Sequence, residues 1–222
     1  VLNLMPVITF PPIDHATKDG LVAVGGELDL YTLVEAYHQG IFPWPIGEDY
    51  PMAWFSPDPR GILEIADLHV PKSLKKFLKN NPYTTTFNQA FSEVLWECKE
   101  IKRPHQESTW ITDEIMDSFT QLFCHHLAYS VETWLKGELV GGLYGFVSGN
   151  IISGESMFHK APNASKIALI FLLQHLQKYQ IPFLDTQMIT PVVKSLGGKE
   201  IKRTEFIKKL NLLKKMPVRK IF

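Results

Sequence analysis

The hydrophobic pattern divides the chain into a turn-rich beginning, a helical middle and a run of strands closed by one long helix. Leu30, Leu33, Val34 and Tyr37 recur at helical spacing behind Asp29, and Gly40 ends the run, which predicts one short capped helix. Proline and glycine are dense around it from Pro6 to Pro59, so the rest of that stretch is expected as short strands and turns. Ser56-Pro57-Asp58-Pro59-Arg60 reads as a boundary, because a residue ahead of proline is pushed out of helical geometry. It divides the chain into a small domain over 1–60 and a larger one over 61–222. Beyond it the pattern predicts a strand over 62–65, a lysine-bearing helix, a helix from near Asn88 (Phe91, Val94, Leu95, Cys98) and a helix capped by Thr112 (Ile115, Phe119, Leu122, Phe123).

The period then changes. Strands are expected over 128–135, 139–147 and 151–157, joined by Lys136-Gly137-Glu138 and Ser148-Gly149-Asn150, an antiparallel meander. A helix over 163–179 is apolar on most sides (Ile167, Leu169, Ile170, Leu173, Leu176), so it should be buried. Pro182 stops it, and 183–186 returns as a strand. The sum is an α+β fold.

Composition adds limits. With 222 residues, 45% hydrophobic and 21% charged, the chain resembles a soluble globular protein. No apolar run approaches the ~20 residues that span a bilayer, and 1–12 lacks a basic start followed by an apolar stretch; a cytoplasmic protein with no membrane partner is expected. Cys98 and Cys124 sit in helical patterns without CxxC spacing or a ligand-like His cluster, so they read as reduced core thiols, and no metal site is expected.

The net charge is zero but unevenly spread: eight acidic and two basic residues lie in 1–60, ten basic and two acidic in 194–222. Lys72, Lys75, Lys76 and Lys79 fall on one side of a helix. A solvated face and a phosphate-contact surface both fit that spacing.

Three polar residues invite chemistry. Glu155 ends the third meander strand, and Asp185 and Gln187 end the strand after the long helix. Residues two apart in a strand face the same side, so Asp185 and Gln187 are expected to point together, joined by Glu155 if the strands are neighbours. A purely structural network fits equally. Trp44, Trp54 and Trp110, placed in loops or near element ends, suit stacking on unpaired bases. The order of elements is compatible with the acyl-CoA N-acyltransferase (GNAT) core. That fold grips pyrophosphate with a glycine-rich loop at the start of its buried helix, and His159-Lys160-Ala161-Pro162-Asn163 lacks those glycines, so the acyl donor is not expected to be a CoA thioester.

Seven blocks occur in order: Tyr37-His38-Gln39-Gly40-Ile41-Phe42-Pro43-Trp44, Trp54-Phe55-Ser56-Pro57-Asp58-Pro59-Arg60, Thr109-Trp110-Ile111, Gly141-Gly142-Leu143-Tyr144-Gly145, Gly154-Glu155-Ser156-Met157-Phe158, Asp185-Thr186-Gln187 and Ser195-Leu196-Gly197. Over about 20–203 the chain resembles the bacterial leucyl/phenylalanyl-tRNA–protein transferases. The resemblance implies a small N-terminal α/β domain and a GNAT-like mixed-sheet domain. It implies transfer of Leu or Phe, less well Met, from tRNA to the α-amine of proteins beginning with Arg or Lys, which marks them for proteolysis. Residues matching Trp44 and Trp110 would frame the 3′-terminal adenosine, with Tyr37 in the same substrate-binding set. Leu143, Met157, Leu172 and Leu184 would line the side-chain pocket. Glu155, Asp185 and Gln187 would position substrates and move a proton, and the four lysines would meet tRNA. No cofactor is implied, and the chain is expected to act as a monomer. Leu143 stands where the family usually carries methionine, and Thr190 and Val192 where Asn and His are expected. Two alternatives remain open at this point: a GNAT-like aminoacyltransferase acting on a peptidoglycan-precursor amine, and a non-catalytic RNA-binding protein of the same fold.

Overall fold

The computed structural model describes residues 9–47, 50–101 and 109–222. Residues 1–8, part of the stretch read for a leader, and Glu48 and Asp49 of the acidic count lie outside the described residues. The chain is α+β. A first sheet, in the order β1-β3-β2, is built from β1 (Leu21–Val24), β2 (Phe42–Pro43) and β3 (Ala53–Phe55), with α1 (Leu30–His38) between β1 and β2. Asp29 caps α1 as its position predicts, accepting from the amides of Tyr31 and Thr32. The boundary segment leads into β4 (Arg60–Glu64).

Next come α2 (Lys72–Leu78), β5 (Thr84–Phe87), α3 (Phe91–Glu100) and α4 (Asp113–Cys124). Thr112 caps α4 by accepting from the Ile115 amide. The expected meander follows as β6 (Ala128–Leu135) and β7 (Glu138–Ser148), but its third strand is split into β8 (Ile151–Ile152) and β9 (Ser156–His159). At the interruption the chain is shared between two strands: the Ser153 amide still donates to the Phe146 carbonyl of β7, while Ser153 also makes a parallel bridge with Asp185 and the Gly154 amide donates to the Asp185 carbonyl. β5, which the threonine run 84–86 hides from a hydrophobic pattern, pairs with β6.

The long helix is α5 (Ala164–Lys178), followed by β10 (Phe183–Gln187), α6 (Pro191–Ser195), β11 (Lys199–Ile201) and α7 (Arg203–Lys215). β10 and β11 flank β4 antiparallel on either side. The basic end of the chain is therefore largely a folded strand and helix.

Alternation along β6 and β7 feeds two cores. Tyr144 and Phe146 face one that also holds Tyr37, Trp54, Phe91, Phe119 and Phe206. Leu143 and Val147 face the other, filled by α5. Residues from 10–54 thus share one core with residues of α3, α4 and α7. Gly145 is required where the two layers meet, because a Cβ there would lie 1.9 Å from the Ser153 carbonyl oxygen. Trp54 is buried and donates its indole N–H to the Gly25 carbonyl, so it supports the fold and offers no face for stacking. Cys98 is a buried free thiol; Cys124, expected in the core, is an exposed one, because it falls on the last, outward turn of α4.

Candidate active site

β7, β9, β10 and α5 surround a cavity of about 390 Å3. Its apolar wall follows from strand register. Leu143 of β7 and Met157 of β9 are directly paired, so their side chains share one face of the ladder. Leu184 of β10 and Leu169 of α5 complete that wall, and Trp44 and Trp110 also line the cavity. The two indoles stack on one another with ring centroids 5.1 Å apart and planes 14° apart.

The polar wall holds Glu155 and Gln187. Glu155 Oε1 accepts from Ser153 Oγ at 2.5 Å and from Gln187 Nε2 at 2.9 Å. The residue keeps some surface open to the cavity, yet its carboxyl is enclosed by protein. Burial pushes its pKa up to about 7, with Asp185 adding to the rise and the Ser153 and Tyr37 hydroxyls and Arg60 opposing it.

Three residues expected in the pocket do not line it. Asp185 turns away into the protein, where Arg60 grips it with two hydrogen bonds, Nε to Oδ1 at 2.9 Å and Nη2 to Oδ2 at 2.6 Å. Strict alternation would have placed Asp185 and Gln187 on one side. A register shift falls between them, and Gln187 takes a left-handed backbone with φ +53°, so only Gln187 reaches the cavity. The Gln187 amide donates back to Asp185 Oδ1 at 3.0 Å, which holds that turn. Tyr37 is buried behind the pocket, stacked on Phe146 with centroids 4.1 Å apart. Burial, then the charge of Glu155, holds its phenol well above the usual range. Leu172 is fully buried in the α5 core; Leu169, one turn earlier, takes the lining position.

Arg60 is the residue that reading the sequence missed. It is fully buried, donates from Nη1 to the Gly40 carbonyl at 2.9 Å, and lies over the rings of Phe42 and Phe206. Its signal was present as the only arginine in the first sixty residues, but it was absorbed into the boundary motif. Ser153 was also missed, sitting in what looked like continuous strand. Thr190, where the family pattern carries Asn, caps α6 by accepting from the Val193 amide; it and Val192 border the cavity.

Outside the cavity, Lys72, Lys75, Lys76 and Lys79 are all exposed, and none is in an ion pair among the described residues. Leu74 of the same helix is buried, so the lysines ride on an amphipathic surface helix. The basic end is different. Lys199 pairs with Glu64 and Asp67, Lys209 with Glu64, and Arg203 donates to the Ser56 carbonyl, so part of that charge is spent inside the fold. Among the described residues no group of three or more His, Cys, Asp or Glu side chains is placed to hold a metal ion, and no helix is long and apolar enough to cross a membrane.

A cavity with an apolar wall, a buried polar wall and two tryptophans can seat an apolar acyl group beside a nucleoside and a proton acceptor. Comparison with known proteins points the same way. The family model for leucyl/phenylalanyl-tRNA protein transferase matches residues 62–211, and that for its N-terminal domain matches 26–58. The leucyl/phenylalanyl-tRNA–protein transferase of Pseudoalteromonas atlantica is 44% identical over 211 residues, covering 94% of this chain and 89% of that protein. Its counterpart from Hydrogenovibrio crunogenus is 45% identical, covering 92% of this chain and 80% of that protein. Among solved structures, that of L-PGS from Bacillus licheniformis aligns at TM-score 0.39 with 13% identity over 71% of this chain and 50% of that one, a likeness too loose to bear on function. The chain therefore belongs to the leucyl/phenylalanyl-tRNA–protein transferase family, and is an aminoacyltransferase that takes its acyl group from aminoacyl-tRNA and passes it to protein.

Proposed function

We propose that the chain transfers Leu or Phe, and more slowly Met, to the N-terminal α-amine of proteins beginning with Arg or Lys, and that the product is a signal for proteolysis. The observation that carries the donor side is the wall formed by Leu143, Met157, Leu169 and Leu184. It has no charged group at the acyl end, so selection rests on shape, worth ~1–3 kcal/mol per methylene. Side chains unbranched at Cβ are assigned to this wall, which favours Leu, Phe and Met over Val and Ile. Trp44 and Trp110 are assigned to the 3′-terminal adenosine, and Glu155 and Gln187 to the reacting centre. The exposed lysines of α2 are assigned to tRNA phosphates, since such contacts come mainly from Lys and Arg. The acidic surface of 1–60 is assigned to the cationic start of the acceptor. With tRNA as donor, the reaction belongs in the cytoplasm, carried out by a monomer without a cofactor.

Incubation with labelled Leu-tRNA tests this. Label should pass to acceptors beginning with Arg or Lys and hardly at all to those beginning with acetyl-Arg. Transfer to acetylated N-termini would sink the α-amine reading, and transfer only to a peptidoglycan-precursor amine would replace it. Efficient use of Ile-tRNA would refute the pocket assignment.

A further inference from the structure

The apolar wall of the cavity has a far end. Along the β7–β9 ladder Leu143 pairs with Met157, and Gly141 pairs with His159. Glu155 precedes β9, so Glu155 and Gly141 lie on opposite sides of the Leu143–Met157 pair. At Gly141 the start of α5 comes down onto the sheet: a Cβ there would lie 2.5 Å from the Ala164 Cβ and 3.1 Å from the Ser165 amide nitrogen. Ser165 and Leu169 are four residues apart and share one face of α5, and both line the cavity. The wall therefore starts at the polar reacting centre, crosses apolar residues and ends on a hydroxyl.

Ser165 is 4% exposed. Buried hydroxyls are bonded as a rule, and Ser118, Ser130 and Ser153 follow it: the first donates to the Glu114 carbonyl at 2.8 Å, the others to Glu132 and Glu155, each at 2.5 Å. The Ser165 hydroxyl makes no hydrogen bond among the described residues. The helix adds to the polarity of this end. Asn163 gives α5 no side-chain cap, so the free N–H groups of the first turn leave their partial positive charge there. An occupant favoured at this end offers an electron pair and carries no positive charge.

Resting on the reading that this cavity seats the donor's amino-acid side chain, we propose that Ser165 is a specificity-determining residue that donates its hydroxyl to the thioether sulfur of a methionyl donor. Leu and Phe offer no such acceptor and are held by shape and burial. Sulfur is a weak, polarizable acceptor, so the contact admits Met without making it the best donor. Norleucine, the same chain with a methylene in place of sulfur, separates the two effects. On a wholly apolar wall norleucine reacts at least as well as Met, because the methylene gains more from burial. Ser165 reverses that order. His159, at the exposed edge of the same end, is the competing polar contact.

The test compares kcat/KM for transfer to an Arg-initiated peptide from one tRNA charged with either Met or norleucine, so that every contact to the nucleic acid is shared. The wild type should favour Met by about three- to tenfold, the scale of one modest hydrogen bond. Ser165→Ala should bring that ratio to one or below while transfer from Leu-tRNA changes little, and Ser165→Cys, close in size with a weaker donor, should fall between. A role of Ser165 in supporting α5 would lower both donors together and leave the ratio unmoved, which would overturn the proposal. So would a wild type that uses norleucine as well as Met, a result that needs no variant to fold. A preference kept in Ser165→Ala and lost in His159→Leu would hand the contact to His159. A wild type that transfers no Leu to Arg- or Lys-initiated peptides would refute the functional reading itself, whereas one that transfers Leu but does not separate Met from norleucine would refute this proposal alone.

Discussion

Glu155 carries a cost that measurement can expose. Its folded pKa of about 7 lies above the ordinary carboxylate value, so between about pH 4.5 and 7 the folded chain holds a proton that the unfolded chain has released. Stability from this group is complete below the lower value and lost as pH rises through the upper one. The penalty at pH 8 is at most on the order of 3 kcal/mol. Glu155→Gln should therefore melt higher than wild type at pH 8, with the difference shrinking toward zero near pH 4.5; thermal melts across pH would show it, and a pH-independent difference would contradict the burial argument. At the same scale, the Trp44–Trp110 stack leaves no room for a third ring between the indoles. Stacking of a base on them is worth ~1–3 kcal/mol, so Trp44→Ala and Trp110→Ala should each weaken binding of a short tRNA 3′-end mimic by about that amount, while binding in wild type should change the tryptophan fluorescence. Met157→Ala should lower kcat/KM for Leu-tRNA far more than it lowers affinity for uncharged tRNA, which has no side chain to place; equal losses would make Met157 a support of the fold.

At the scale of elements, two lysine sets with similar sequence density behave differently. Lys72, Lys75 and Lys76 of α2 and Lys79 at its C-terminal cap are exposed and free of ion pairs among the described residues. Reversing their charge should cost affinity for charged tRNA, equally for Leu and Phe tRNAs, and should flatten the salt dependence. Unchanged binding would leave α2 as a solvated face. Lys199 of β11 and Lys209 of α7 instead converge on Glu64 of β4 and, with hydrogen bonds from both, hold its pKa down at about 2. A depressed carboxylate stabilises the fold above its unfolded pKa near 4.5 and loses that contribution as pH falls toward 2. Because the lysines are partly solvated, the effect is discounted to about 1–2 kcal/mol. Glu64→Gln should lower stability by that amount at pH 7 and by little at pH 2, read from urea unfolding. Helix caps and the 3.6 and 2 periods made α1, α3, α4, α5, β6 and β7 legible beforehand, because those signals are local. β5 and the split between β8 and β9 were not, because their edges are decided by a partner strand.

For the whole molecule, Arg60 is where distant parts meet. It joins the Gly40 carbonyl after α1, Phe42 of β2, Asp185 of β10 and Phe206 of α7. Removing one partner of a buried pair leaves an uncompensated charge, so Arg60→Met should cost about 3–5 kcal/mol. Arg60→Met combined with Asp185→Leu should regain much of that stability, because both charges are gone, yet not the activity, because Gln187 loses the contact that sets its turn. Equal costs for the single and double variants would mean that Arg60 acts through its ring contacts.

By itself the sequence determined the α+β class, the capped helices, the meander and, through its motifs, the family and most of the cavity wall: Leu143, Met157, Leu184, Trp44 and Trp110. These rest on local periodicity or on blocks of adjacent residues. Only the tertiary structure decided which polar groups face the cavity. The partner of Asp185 lies 125 residues away, the register shift that separates Asp185 from Gln187 arises in pairing with β4, and an α5 apolar on most sides gives no hint that Leu169 rather than Leu172 turns toward the pocket. Each of these depends on which surfaces meet, and chain-local patterns carry no information about that.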